Sequence, residues 1–453
     1  MAGKKWIDHW EPDDERFWES TGKGVARRNL SFSIFAELLG FSIWVLWGVV
    51  AVKLNDNGFA FSTSQLFWLV SVPGLIGATM RFPYTFMPAK IGGRNWTIIS
   101  ALLLLIPAVL LAVLVRDPST PFALLLVAAA TAGFGGGNFS SSMANISHFY
   151  PEGRKGLALG LNAAGGNVGV ALTLLVVPIA IAVGGLELAG LIWIPFIVVA
   201  AFCAWRFMDN LTNARSTFAD QRVIVRERHT WLMTILYIGA FGSFIGYSAG
   251  LPLLIDTQFP QSAVGLAFLG PLVGSASRPL GGWLSDRLGG ARVTLAVFAA
   301  MAVATLGVIF FLSQKEQSWA FAGFLATFII LFILSGLANG STFRMVPAIW
   351  RAQSLERAET NGESRDEALA RSRREGAAVL GFIGAVAAYG GFVIPQAYNG
   401  SIAATGGVEL ALGVFCAYYV LAGAVTWRCY LRPSAVAAEK ARAPGVGLAH
   451  ARV

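Results

Sequence analysis

Charged side chains are scarce in this 453-residue sequence, at 13% of the chain, whereas hydrophobic residues make up 55%. Soluble domains contain about a quarter charged residues. The shortage excludes a disordered chain, a coiled coil and an ordinary soluble enzyme. A mean hydropathy of +0.62, with long apolar runs between short charged clusters, predicts an all-α, polytopic membrane protein. The ten-residue alternation that is typical of a membrane β-barrel is absent from the sequence.

Cysteine and histidine are also rare. The three cysteines, Cys203, Cys416 and Cys429, lie in apolar stretches and form neither a metal-binding spacing nor a disulfide framework. The sequence contains no motif for a nucleophile–base pair, a phosphate loop or a metal site, so it predicts no enzyme activity and no cofactor. A cleavable signal peptide is not expected, because the charged N-terminus lacks an apolar core.

The sequence is rich instead in apolar segments long enough to cross a bilayer, which takes about 20 residues. Twelve spans are predicted, at roughly 30–53, 65–87, 96–115, 120–148, 156–183, 189–208, 230–256, 262–285, 293–313, 319–350, 374–396 and 407–430. A polar segment at 207–229 separates the first six spans from the last six. We therefore predict an N-terminal tail at 1–29, a six-helix bundle at 30–208, a linker at 209–229, a second six-helix bundle at 230–430 and a C-terminal tail at 431–453.

Basic residues are distributed unevenly between the two sides of these spans. If both termini are cytoplasmic, 28 of the 34 Lys and Arg residues fall on the cytoplasmic side and three, Lys53, Arg116 and Lys315, on the other. Because cytoplasmic loops are enriched in Lys and Arg, this predicts a multi-pass protein of the inner (cytoplasmic) membrane with both termini in the cytoplasm. The formal charge of +9 then reflects orientation in the lipid bilayer, and no nucleic acid partner is expected.

The two halves of the chain repeat one another. Arg81 and a Gly-Gly pair at 92–93 recur 197 residues later as Arg278 and a Gly-Gly pair at 289–290. Parallel six-span repeats imply two bundles related by an axis along the membrane normal, with a substrate site between them near mid-depth.

Two further segments belong to the repeat. The segment 133–140 recurs 203 residues later at 336–343. The segment 282–292 resembles the loop signature G-x-x-x-D-R-x-G-[GR]-[KR] of the major facilitator superfamily. Its counterpart in the first half lacks the Asp-Arg pair, so the contacts of that loop must differ between the halves.

Arg81 in the second span and Arg278 in the eighth are the main indications of function. A buried arginine is unfavourable in a membrane and normally faces a cavity or a counter-charge. The repeat predicts that the two face each other across the central cavity. The alternative is that each pairs with a buried carboxylate, and Glu37 is the only acidic residue well inside the first half. Two planar guanidinium forks suit a small planar anion. Nitrate and nitrite fit, while bicarbonate and short carboxylates stay open.

Glycine-rich stretches occupy the fourth, fifth and tenth spans. Small residues let membrane helices approach closely, so helix packing is one interpretation and flexing as gates is the other. The glycines concerned are Gly136, Gly137, Gly165, Gly166, Gly336 and Gly340.

Polar and aromatic residues are interleaved with these glycines or lie on neighbouring spans. Unpaired amides are unfavourable in hydrocarbon, so Asn138 and Asn167 are candidate donors to the oxygens of an anion. Tyr237 and Phe241 share a helix face, and Phe139 adjoins the glycine run. Aromatic walls would exclude water and strengthen the attraction between arginine and anion. Ordinary packing explains the two phenylalanines equally well.

Several of these segments together resemble a known family. The segment 133–147, followed by Phe-Tyr-Pro at 149–151, is similar to a signature of the nitrate/nitrite porter family within the major facilitator superfamily, and so is 336–345. The segment 237–247 looks like the family too. The resemblance runs from about residue 26 to residue 430.

The resemblance implies a major facilitator fold with 12 transmembrane helices and a substrate clamp made of two arginines. Arg344 departs from the pattern, because some members carry glutamine there. The positions that match the family's anion site are Arg81, Arg278, Asn167, Phe139, Tyr237 and Phe241.

Two transport mechanisms stay open at this point. Exchange of nitrate for nitrite, with the protein acting as a monomer, is the first. Proton–nitrate symport is the second; it needs a titratable group, and Glu37 is the candidate unless it lies in a wet vestibule. A membrane-embedded enzyme or sensor and a sugar or drug carrier are further alternatives, which the missing catalytic motifs and the two symmetric arginines disfavour.

Overall fold

The computed structural model describes residues 6–212 and 223–432. The remaining parts of the predicted tails and linker, at 1–5, 213–222 and 433–453, lie outside the described residues. Helices make up nearly all of the described chain, which confirms the all-α fold class.

Twelve helical segments follow one another along the described residues, and we number them in order. They are α1 Glu15–Asn57, α2 Thr63–Tyr84, α3 Gly93–Leu114, α4 Phe122–Phe149, α5 Glu152–Gly184, α6 Leu188–Phe207, α7 Arg228–Gln258, α8 Leu269–Leu288, α9 Gly290–Ser313, α10 Ala320–Asn361, α11 Arg365–Thr405 and α12 Glu409–Leu431. The shorter elements are the helix Met87–Ile91, the 3-10 helix Val264–Phe268 and the strands β1 Trp6–Ile7 and β2 Asn210–Leu211.

Some segments are composites of regular helices. The α-helical parts run Glu15–Phe17, Lys23–Trp44 and Leu46–Leu54 in α1, Gly93–Leu103 and Leu105–Leu114 in α3, Leu188–Leu191 and Trp193–Phe207 in α6, Arg228–Tyr237 and Ser243–Gln258 in α7, Arg365–Ala387 and Gly390–Thr405 in α11, and Glu409–Thr426 in α12. π-turns join or end them at Trp18–Gly22, Ile238–Gly242 and Trp427–Leu431, and a 3-10 turn ends α1 at Asn55–Asn57.

Over 6–212 and 223–432, eleven of the twelve segments are long and apolar enough to cross a membrane. The exception is α8, which has 20 residues but carries Arg278, Asp286 and Arg287. It overlaps the eighth predicted span, at 262–285, and begins later because Val264–Phe268 forms a separate 3-10 helix. The low hydropathy of α8 therefore follows from the charged residues of the signature and the buried arginine that it contains.

The turns before α3 and α9 show the repeat in the backbone. Gly92 and Gly289, which are 197 residues apart, take positive φ angles of 92° and 91°. Glycine adopts such angles readily, whereas a side chain would be strained there. The first glycine of each pair is thus required by the same turn in each half.

Contacts divide the chain into two compact units. As far as they are described, the first comprises 1–216, 246–272 and 391–399, and the second comprises 217–245, 273–390 and 400–453. Helices α7, α8 and α11 therefore contribute residues to both units. The bundle boundaries at 30–208 and 230–430 stay a prediction.

Within the first unit, α1 and α2 pack closely on the segments 246–272 and 391–399. A Cβ on Gly48 would lie 2.6 Å from the carbonyl oxygen of Ala249, closer than Cβ atoms come to a neighbour. Gln396 Nε2 donates a hydrogen bond to Ser71 Oγ at 2.7 Å. A glycine thus allows two helix backbones to approach closely, and a hydrogen bond joins two helices, as is typical of membrane proteins.

Residues 6–22, which we call the N-terminal strap, fold back onto the first unit. β1 of the strap pairs in parallel with β2. Asn210 Oδ1 accepts hydrogen bonds from the backbone nitrogens of Arg94 at 2.9 Å and Asn95 at 3.3 Å, at the start of α3. The strap, the beginning of the predicted linker and the N-terminus of α3 are thereby joined.

An indole and a carboxylate attach the strap to the turn between α4 and α5. Trp10 is buried, packs edge-on against Phe149 with ring centroids 5.4 Å apart, and donates from Nε1 to the carbonyl oxygen of His148 at 3.1 Å. Asp13 Oδ1 accepts from the backbone nitrogen of Glu152 at 2.9 Å. Because that nitrogen belongs to the first residue of α5, Asp13 caps this helix from a distant part of the chain. The described part of the segment that we predicted as a tail is therefore packed structure.

Replacing the capping carboxylate tests the strap. We expect Asp13→Ala to lower the stability of the full chain by about 1 kcal/mol, the usual effect of losing an aspartate cap. The exposed neighbour Glu11 serves as control, and Glu11→Ala should have no effect. Thermal unfolding of both purified variants in detergent measures the difference. Equal midpoints for the two variants would show that the strap does not stabilise α5.

Candidate functional site

Arg81 lies buried in the last turns of α2. Its Nε donates to the carbonyl oxygen of Gly136 in α4 at 3.0 Å. Three rings surround the guanidinium carbon, with centroids at 4.6 Å for Phe139, 5.2 Å for Trp44 and 5.9 Å for Phe41. Aromatic faces attract a cation, and the attraction is stronger where water is excluded. Of these three rings, the sequence had pointed to Phe139 alone.

The glycine-rich stretch of α4 makes room for the indole beside Arg81. Trp44 donates from Nε1 to the carbonyl oxygen of Pro73 at 2.7 Å, which fixes the ring. A Cβ on Gly136 would lie 2.5 Å from Cε2 of Trp44, so a larger residue does not fit. Nothing in the sequence distinguishes Trp44 from the other aromatic residues of an apolar run, which explains why it was missed.

Arg278 of α8 is 9% exposed. Its Nη2 donates to Tyr237 Oη at 3.3 Å, and its guanidinium carbon lies 5.4 Å from the ring centroid of Phe343 in α10. Tyr237 stacks on Phe241 with centroids 5.8 Å apart and an interplanar angle of 17°. The predicted aromatic pair of α7 therefore lies at the predicted arginine. Phe343 was missed, although it belongs to the repeated segment 336–343.

Each half of the chain thus holds a buried guanidinium among aromatic rings, hydrogen-bonded to an uncharged acceptor. Nη1 of Arg278 is buried and has no hydrogen-bond partner among the residues that the structure describes. A buried charge is unfavourable unless it is compensated. Such a group can bind a small oxyanion, which supplies both negative charge and hydrogen-bond acceptors. That the two arginines face each other stays a prediction.

Glu37 belongs to a buried polar cluster of α1, α4 and α5. It is 1% exposed, so it does not lie in the wet vestibule that the sequence left open. Ser142 Oγ donates to its Oε2 at 2.7 Å and accepts from Asn162 Nδ2 at 2.8 Å. Oε1 of Glu37 has no partner among the described residues, and the carboxyl group lies within electrostatic range of Arg81. The network is a separate, titratable feature close to the first arginine.

The asparagines of the glycine-rich helices are buried. Asn167 lies in α5, and its contact with the anion stays a prediction. Both amide atoms of Asn138 in α4 and of Asn339 in α10 have no partner within the described chain. A buried amide without a partner is unfavourable by about 1–3 kcal/mol. Asn339 was not among the predicted donors.

All six predicted glycines lie at tight helix contacts. A Cβ on Gly137 would come within 2.7 Å of Tyr84, one on Gly165 within 2.6 Å of Ile34, and one on Gly166 within 3.1 Å of Glu37. In the second half the neighbours are backbone atoms and a hydroxyl. Gly336 lies against Gly274 and Ser277, and Gly340 against Arg278 and Gly282. These contacts agree with the packing interpretation, and a role as gates stays a prediction.

Arg344, the departure from the family pattern, forms an ion pair with Asp286 at 2.5 Å. Asp286 is the acidic residue of the signature and lies in the last turn of α8, so the pair links the end of α8 to α10. Both side chains are more than half exposed, and such pairs contribute about 0–1 kcal/mol. Arg344 therefore lies apart from the buried arginines in role and surroundings.

Comparison with known proteins gives one family and several close relatives. The family model described as Major Facilitator Superfamily matches residues 30–357. The "Nitrate/nitrite transporter NarU" of Escherichia coli (strain K12) is 41% identical over 442 residues, which cover 93% of this chain and 96% of that protein. The "Probable nitrate/nitrite antiporter NarK2" of Thermus thermophilus is 35% identical over 457 residues, or 95% and 97% of the two chains. The similarity therefore extends along nearly the whole chain.

The close approach of α8 and α10 can be tested at two glycines. In Gly340→Ala the new Cβ would meet the backbone of Arg278 and Gly282, so we expect a loss of about 1–3 kcal/mol of stability from overpacking. A Cβ on Gly282 would have no neighbouring atom within 4 Å, so Gly282→Ala is the matched control and should be neutral or slightly stabilising. Thermal unfolding in detergent compares them. A Gly340→Ala protein as stable as the control would contradict the packing interpretation.

Proposed function

Because this chain belongs to the nitrate/nitrite porter family of the major facilitator superfamily, we propose that it transports nitrate and nitrite across the membrane. The observation that carries the proposal is a buried guanidinium in contact with aromatic side chains in each half of the chain. The relatives in E. coli and T. thermophilus are named for nitrate and nitrite, and one of them is named an antiporter.

The chemistry of guanidinium supports a small planar oxyanion as cargo. Arginine presents donors in a flat, rigid fork, so it pairs with two oxygens of a planar anion at once. In this proposal Arg81 and Arg278 both donate to the anion, while Phe139, Tyr237 and Phe241 keep water away from it. Asn167 is a further donor.

We propose exchange of nitrate for nitrite as the transport mechanism. An occupied site contains two guanidinium charges and one anion, whereas an empty site contains the two guanidinium charges without that anion. Closing an apolar site around uncompensated charge is strongly unfavourable. The empty carrier should therefore seldom change its orientation, and each outward anion is replaced by an inward one.

Exchange is tested in liposomes that contain the purified full chain. Nitrite-loaded liposomes should take up external nitrate quickly, and unloaded liposomes should take up little, with no pH gradient in either case. Arg81→Lys keeps the charge but loses the planar fork and should reduce uptake at least about tenfold, the effect of one lost charge-assisted hydrogen bond. Arg116→Lys, at an exposed position outside the signature segment, should transport normally.

Nitrate uptake into unloaded liposomes without a pH gradient would reject obligatory exchange. Absence of nitrate uptake under every loading condition would reject nitrate transport itself.

Proton–nitrate symport is the second candidate, and one observation favours it. Glu37 is a buried carboxyl group with one oxygen bonded to Ser142 and the other without a partner in the described residues. Buried carboxyl groups in transporters are frequent sites of proton coupling. Its position within electrostatic range of Arg81 would link protonation of Glu37 to binding of an anion.

Glu37→Gln separates the two mechanisms. Glutamine keeps an acceptor for Ser142 but does not titrate, so symport predicts loss of uptake driven by an inward pH gradient. Exchange predicts that nitrate–nitrite exchange continues in this variant. Asp117→Asn, on the exposed turn between α3 and α4, is the control. If Glu37→Gln retains uptake driven by the pH gradient, Glu37 is not the coupling residue.

The distribution of basic residues supports the location of the protein. We propose a multi-pass protein of the inner membrane with both termini in the cytoplasm, surrounded by lipid and active as a monomer. An enzyme is disfavoured by the family, and a sugar or drug carrier by the two buried arginines.

A further inference from the structure

Asn339, in the middle of α10, is buried and yet unsatisfied. It is 1% exposed, and both its Nδ2 and its Oδ1 lack a hydrogen-bond partner among the described residues. Its polar neighbours on the same helix differ. Ser335 and Thr342 each donate to a backbone carbonyl, and Ser341 shares a hydrogen bond with Thr294. Asn339 is therefore the exception in this stretch, and a ligand is one physical reason for such an exception.

The internal repeat places Asn339 beside Arg278. The offset of 203 residues makes Asn339 the counterpart of Gly136. Gly136 is the residue whose carbonyl oxygen accepts from Arg81, so the equivalent position in the second half should lie next to Arg278.

Contacts within the second unit agree with that placement. Phe343, one helical turn after Asn339 and on the same face, lies 5.4 Å from the guanidinium carbon of Arg278. Gly340, the next residue after Asn339, packs against the backbone of Arg278. The face of α10 that carries Asn339 is therefore the face turned toward the arginine.

The two halves differ at this position. In the first half Gly136 leaves space that the indole of Trp44 fills. In the second half an amide occupies the equivalent position, and Nη1 of Arg278 also has no partner in the described chain. An anion with several oxygens can accept from both groups at once, because the Arg278 Nη1–H and the Asn339 Nδ2–H are separate donors.

We propose that Asn339 is an additional substrate-binding residue, which donates a hydrogen bond from Nδ2 to the transported anion and favours nitrate over nitrite. The inference rests on the proposed transport of these anions. Nitrate has three oxygens and nitrite has two, so guanidinium forks leave fewer acceptors free on nitrite. A donor in addition to the forks therefore contributes more to the binding of nitrate.

The decisive variant is Asn339→Leu, which keeps the approximate shape of asparagine and removes both polar atoms. Replacing an unsatisfied buried amide by an apolar group of the same shape is neutral or stabilising. We expect the nitrate-free protein to unfold at the same temperature as wild type or at a higher one. The Kd for nitrate should rise about tenfold, the effect of one lost hydrogen bond to an ion, and the Kd for nitrite should rise less. Binding of each salt to the purified full chain is measured by calorimetry.

Ser341→Ala is the matched control, since it removes a buried hydroxyl of α10 that is bonded to Thr294 of α9. It should leave both Kd values unchanged. Asn339→Ala gives the same comparison with a smaller side chain, in case leucine prevents folding.

Three results would overturn the inference. Nitrate affinity equal to wild type in either Asn339 variant shows that the amide does not contact the anion. An equal loss of affinity for both anions overturns the preference for nitrate. A large loss of stability in Asn339→Leu without a change in affinity shows a structural role. If the wild-type protein binds no nitrate, the result rejects the proposed function rather than the role of Asn339 alone.

Discussion

A guanidinium buried among apolar helices keeps its charge, because arginine does not deprotonate in proteins. Its surroundings must therefore stabilise that charge without water. Around Arg81 they provide a backbone carbonyl and three rings, and around Arg278 a phenol and a ring. The carbonyl, the phenol and the rings are uncharged, so they reduce the unfavourable energy of burial but do not cancel the charge. The anion that we propose as cargo would supply negative charge at both side chains.

The glycines of α4, α5 and α10 contribute to the surroundings of the two arginines by leaving room for neighbouring groups. Gly136 admits an indole beside Arg81, and Gly340 lets α10 approach the backbone of Arg278. In lipid there is no hydrophobic driving force between helices, so the van der Waals contacts of closely packed helices stabilise the bundle instead. The same absence of side chains would also allow small helix displacements, so packing and gating are not mutually exclusive uses of one feature.

Glu37 connects the two mechanisms that we consider. If its carboxyl group is ionised, it balances part of the charge of Arg81, and the argument for obligatory exchange weakens. If it is protonated, the empty site keeps its full positive charge, and exchange is favoured. Ser142 donates to this carboxyl group inside the first unit, and Asn162 in turn donates to Ser142. In our proposal, the choice between exchange and symport therefore depends on the protonation of Glu37.

Much of this molecule is determined locally and could be predicted from the sequence alone. Helices of membrane length follow from apolar runs, and Arg81 and Arg278 stand out because a charge in such a run is rare. The Gly-Gly pairs followed from the repeat, and both start with a glycine at positive φ. The tertiary structure alone decided the rest. The strap depends on pairing between β1 and β2, some two hundred positions apart, and the cap of α5 on Asp13. Trp44 became recognisable only from its contacts with Arg81 and Gly136, and Asn339 only from the lack of a hydrogen-bond partner within the described residues. Hydrophobic periodicity and local charge depend on residues that are close in the sequence, so they can be read from it. Contacts between residues on different helices depend on the packing of the whole fold.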